Sequence, residues 1–152
     1  MKRTERRLAR VRANRSDAGG PTREGSDKLG NETARSAPTG PLELARRAVD
    51  VLADHKAADI VLLDIGKMAS FADYFVICSG TSDRQVKALT DTLTEALENE
   101  GVRAKRVEGT PETGWVLLDY ADVVVHIFNS PTRDYYRLER IWADAPTVLR
   151  VQ

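Results

Sequence analysis

The chain has 152 residues, enough for one compact core and too few for two comfortable ones. Its 23 basic and 23 acidic residues cancel only in sum. Ten basic against five acidic residues lie up to Gly40, leaving thirteen against eighteen thereafter, so a basic arm precedes an acidic domain. A single cysteine, Cys78, excludes an internal disulfide or a thiolate metal cluster. No apolar run approaches bilayer length, and the arginine-containing N-terminus lacks the apolar centre of a secretory signal, so a cytoplasmic protein with no membrane contact is expected.

Residues 1–40 are rich in Arg, Gly, Ser and Thr and nearly devoid of large apolar side chains, the composition of a disordered basic tail. Arg3, Arg6, Arg7, Arg10, Arg12 and Arg15 offer weak contact with RNA phosphates through counterion release, although composition favours a merely solvated tail. Residues 41–152 form the expected domain. Pro41 suits a first helical position, and Leu42, Ala45, Val49 and Leu52 follow at helical spacing, predicting a helix to His55. His55, at its end, is expected to serve only the last carbonyls.

Ile60 to Ile65 reads as a strand, and Tyr74 to Cys78 as a second, covered on both faces. Gly80 breaks it. Ser82 and Gln85 then have capping-box spacing and open a helix from Asp83 to about Glu100, with Val86, Leu89, Leu93 and Leu97 on one stripe. Gly101 stops that helix. Val102 to Val107 mixes Val and Ala with three cations and reads as an edge strand.

Gly109 to Gly114 is turn material. Trp115 to Tyr120 and Val123 to Phe128, two residues apart, demand an antiparallel hairpin. Period-2 alternation puts Trp115, Leu117 and Asp119 on one face and Val116, Leu118 and Tyr120 on the other. Tyr135, Leu138 and Trp142 make the buried stripe of a last helix ending before Pro146. Five strands and three helices without repeats define an α/β domain with a mixed five-stranded sheet and flanking helices.

Ser79-Gly80-Thr81-Ser82 at a helix start is the sharpest chemical signal, since free N–H groups and the helix dipole favour an anion. It supports an alternative reading as a nucleotide-binding or nucleotidyltransferase-like enzyme. Metal-assisted phosphoryl chemistry needs carboxylates on one strand face, whereas Asp119 and Asp122 straddle a hairpin turn and diverge. No Walker lysine or glycine fingerprint is present, so no catalytic, metal or cofactor residue is assigned. His126, mid-strand with Val124 and Phe128, reads as a structural histidine, and Cys78 as a small buried hydrophobe.

Ala72-Asp73-Tyr74-Phe75-Val76-Ile77-Cys78-Ser79-Gly80-Thr81-Ser82-Asp83-Arg84-Gln85, Gly114-Trp115-Val116-Leu117-Leu118-Asp119-Tyr120, Asp122 to Phe128 and Tyr136-x-Leu138-Glu139-x-x-Trp142 closely resemble the ribosomal silencing factor (RsfS, Iojap-related) family over about residues 41–146. The resemblance implies a nucleotidyltransferase-like fold without catalytic apparatus. It implies a non-enzymatic repressor that binds the large ribosomal subunit through ribosomal protein L-fourteen and sterically blocks joining of the small subunit. It places partner binding on the strand of Trp115, Leu117, Asp119 and Tyr120, and implies a homodimer when free.

Overall fold

A computed structural model describes residues 36–152; the first 35 residues of the basic tail lie outside the described part. Helix α1 (Pro41–Asp54) begins with proline at its first turn and buries Ala45, Ala48, Val49 and Leu52. Ala48 takes the place expected for Leu42, which is exposed. Strands β1 (Ala58–Asp64) and β2 (Tyr74–Gly80) follow, then α2 (Asp83–Asn99), which buries the expected Val86, Leu89, Leu93 and Leu97. Strand β3 (Arg106–Glu108) is only three residues long. Strands β4 (Trp115–Asp119) and β5 (Val123–Asn129) form the hairpin, and two short helices, α3 (Ser130–Tyr136) and α4 (Leu138–Ile141), lead to β6 (Thr147–Val151).

The expected five strands become six, in the order β3-β4-β5-β2-β1-β6. Strand β6 pairs antiparallel with β1, and Pro146 enters the same edge by accepting from Asp64 N at 2.9 Å. The sole parallel pair among the described strands is β2 with β5, at the centre. Both are apolar on both faces because helices cover both. One layer holds α1 and α2 against Ile60, Leu62, Val76, Cys78, Val116, Leu118 and Val125. The other is smaller and aromatic: Phe71, Phe75, Phe128, Leu138 and Trp142 gather around Val61, Ile77 and Val124.

The last helix is two pieces. Arg137 adopts left-handed backbone, φ 48° and ψ 53°, which resets the helical phase. Leu138 and Trp142 are buried as expected, while Tyr135 is 79% exposed instead of joining their stripe. The cause is tertiary. Arg133 is buried and donates to Asp59 O and Ser79 Oγ, both at 2.8 Å, and through Nε to Glu139 at 2.9 Å. Residues six apart lie on different sides of one helix, so this ion pair requires the break at Arg137.

The β4–β5 turn is strained. Asp122 N donates to Tyr120 O at 3.0 Å across Ala121, whose φ is 75°, the three-residue turn that is rare for an L-residue. Ala121→Gly is expected to raise stability by up to about 1 kcal/mol, strain relief outweighing the added freedom of the unfolded chain. Urea denaturation measures it, and a loss of stability would show that the turn is unstrained.

Candidate functional site

The second strand and its turn, Ser79 to Ser82, are built as a joint and not as an open cradle. Ser82 Oγ accepts from Gln85 N at 3.1 Å, half of the capping box. The reciprocal arm misses the cap: Gln85 Oε1 accepts instead from Thr81 N at 2.6 Å and from Thr81 Oγ1 at 3.0 Å. Ser79 is buried with its hydroxyl on Arg133. Thr81 N, Thr81 Oγ1 and Gln85 N are thus engaged within the protein. Among the described residues no group of three or more His, Cys, Asp or Glu side chains is placed to hold a metal ion. Cys78 is fully buried, which pushes its thiol up to about 12 and keeps it protonated.

Trp115 is half-buried and held from several directions. Its ring stacks on Phe128 at 4.8 Å and meets Tyr136 at 5.0 Å, and its Nε1 donates to His126 Nδ1 at 3.1 Å. That bond fixes the neutral tautomer with the proton on Nε2, which has no partner among the described residues. Burial pushes the His126 pKa down to about 3, so the ring stays uncharged. Phe75 packs edge-on against it at 4.6 Å.

Two glycines bracket Trp115 for steric reasons. Gly109 has φ 84°, and a Cβ there would lie 2.1 Å from Trp115 O. Gly114, also at φ 84°, would press a Cβ to 2.2 Å from Thr132 Oγ1. Between them Thr110 and Thr113 close a one-turn 3₁₀ helix, Pro111–Thr113, through reciprocal capping bonds. The outcome is an open depression of about 240 Å³ with Trp115 and Leu117 on its inner side, Tyr136 as a wall and Glu108 at the rim. Tyr136 is 41% exposed and meets Tyr135 edge-on at 5.0 Å, so an aromatic row runs from solvent to Phe128.

The four residues expected at a partner surface fall in different places. Trp115 and Leu117 line the depression, although Leu117 itself is only 3% exposed. Asp119 is 1% exposed; its Oδ1 accepts from Ala121 N at 2.8 Å, and burial raises its pKa despite Arg106 and Lys105 nearby. Tyr120 is buried in the opposite layer, beneath α2. Tyr136 takes a place at the depression that periodicity missed, because one unbroken helix would have pointed Tyr135 inward in its stead.

A six-stranded mixed sheet with one helical and one aromatic layer, and an open depression lined by Trp115, Leu117, Tyr136, Thr113 and Glu108, defines a mixed α/β domain with a partly exposed aromatic surface. Residues 38–152 match the family model described as ribosomal silencing factor during starvation, RsfS. The chain belongs to this family. It is 44% identical over 105 residues to ribosomal silencing factor RsfS of Bacillus subtilis, covering 69% of this chain and 86% of that one. A crystal structure of a Chromobacterium violaceum protein superposes with a TM-score of 0.67 at 37% identity, covering 69% of this chain and 88% of the other. A mouse protein named for mitochondrial assembly of the ribosomal large subunit is 31% identical over 97 residues, 62% of this chain and 42% of its own length.

Proposed function

We propose that the chain is a cytoplasmic, non-enzymatic translational repressor that docks on the large ribosomal subunit through ribosomal protein L-fourteen. Bound there, it blocks the small subunit by occupying its space. The observation that carries the reading is the aromatic depression. Trp115 and Tyr136 are anchor types that dominate protein interfaces, and here they sit partly exposed over a packed base. The name of the mouse relative points to the same subunit. An acidic domain suits a basic ribosomal partner, with rim charge speeding encounter more than it tightens binding. The same depression serves self-association when the subunit is absent.

Tyr136→Ala removes an exposed ring and should leave the fold within about 0.5 kcal/mol of the original, while weakening large-subunit binding by about 2 kcal/mol, near thirtyfold. Sedimentation of purified subunits reads both activities. The unaltered protein should lower the yield of joined ribosomes and Tyr136→Ala should restore it. An unchanged yield with the unaltered protein sinks the steric mechanism. Asp119→Arg is no test of the surface, because a long charged side chain in that buried position would unfold the hairpin.

A further inference from the structure

Helix α3 lies over β5 and separates two surfaces. Tyr136 faces β4 through Trp115, whereas Arg133 reaches the other way, to Ser79 on β2 and Asp59 on β1. On that second flank Arg133, Arg137, Arg140 and Arg150 converge from α3, the helix break, α4 and β6 on an open cavity of about 510 Å³. Four guanidinium groups on one cavity stand out in a domain whose overall balance is thirteen cations to eighteen anions.

We infer that this arginine-lined cavity is a binding site for the phosphodiester backbone of RNA. Glu139 neutralises Arg133, which acts as the fixed wall. Arg137, Arg140 and Arg150 are exposed and, among the described residues, form no ion pair; Arg137 donates only to a backbone carbonyl, Asp134 O at 3.3 Å. Asp59 and Asp134 also line the cavity, so three exposed cations face two carboxylates, and Ser79 and Ser130 add hydroxyls. Guanidinium groups present forked donors that match phosphate oxygens in pairs. Among the described residues the lining is Arg, Ser, Asp and Glu, with no aromatic or aliphatic side chain, a set suited to phosphate oxygens more than to an enclosed base. The site therefore follows a charged backbone without reading sequence. Its chemistry stands on the cavity alone; the choice of ribosomal RNA as its target rests on the large-subunit reading.

The full chain carrying Arg137→Ala, Arg140→Ala and Arg150→Ala together tests the site, with Arg133 left in place to hold the fold. Fluorescence anisotropy against an RNA duplex of about 16 base pairs gives affinity as salt is raised. The triple variant should bind about tenfold more weakly near 0.1 M salt, and its logarithmic salt slope should fall by about 2 to 3. Tyr136→Ala should match the unaltered chain in both. Equal affinity and slope for the triple variant and the unaltered chain would overturn the site. So would full competition by micromolar ATP, which would assign the cavity to a free nucleotide. On purified large subunits the same variants separate the two readings: loss with the arginine variant but not with Tyr136→Ala removes the aromatic docking face and leaves the RNA site standing.

Discussion

Acidification from pH 7 to pH 4 is expected to remove about 3 kcal/mol of folding stability through His126 alone. In the fold this ring is buried, accepts from Trp115, and stays neutral down to about pH 3; its ordinary value is 6.5. Between those limits the unfolded chain binds the extra proton and the folded chain does not. The contribution is therefore complete above pH 6.5 and is lost as the pH falls below it. Urea denaturation at pH 7 and pH 4 measures the difference. His126→Asn keeps an acceptor near the Nδ1 position and His126→Phe keeps the ring, and both should be less stable at pH 7 yet lose less on acidification. An acid loss as large in both variants as in the unaltered chain would show that His126 is not its source.

Gly109→Ala should cost about 2 to 4 kcal/mol, through a left-handed backbone made unfavourable and a Cβ driven into Trp115 O. Here no flexible side-chain end can yield, because the obstacle is backbone. Either the loop shifts and carries Trp115 with it or the β3–β4 pairing loosens. Indole fluorescence and thermal melting report both, and large-subunit affinity should fall with them. Gly114→Ala meets the Thr132 hydroxyl instead, so adding Thr132→Ser or Thr132→Ala tests whether the neighbouring side chain can relieve it. A Gly109→Ala protein with unaltered melting and fluorescence would mean that the turn has room the geometry denies.

Long periodic segments were legible from sequence because their own apolar stripes decide them. The α2 stripe of Val86, Leu89, Leu93 and Leu97 is one example, and the alternation that divides Val116 and Leu118 from Leu117 is another. Strand β6 escaped notice: it is short, it follows a proline, and only pairing with β1 holds it. The broken C-terminal helix was hidden for a different reason. Arginine has no preference for left-handed backbone, and the bonds that force Arg137 into it come from Asp59, Ser79 and Glu139 around Arg133, two of them far away in sequence. Because the break turns Tyr135 outward and sets Tyr136 against Trp115, the depression could not be assembled from periodicity. Strand alternation correctly paired Trp115 with Leu117, but it carries no measure of depth: Asp119 is buried and Tyr120 packs in the opposite layer, away from the depression.

Trp115 enters any encounter already immobilised. Its backbone is framed by turns that admit only glycine, its ring lies on Phe128, and its indole N–H is committed to His126. The side-chain entropy that association normally removes, about 0.5 to 1.5 kcal/mol for each side chain ordered, was lost on folding. If the proposed docking at this preorganised surface holds, it needs no local rearrangement, so substitutions around it should lengthen or shorten the lifetime of the complex and leave the rate of its formation nearly constant.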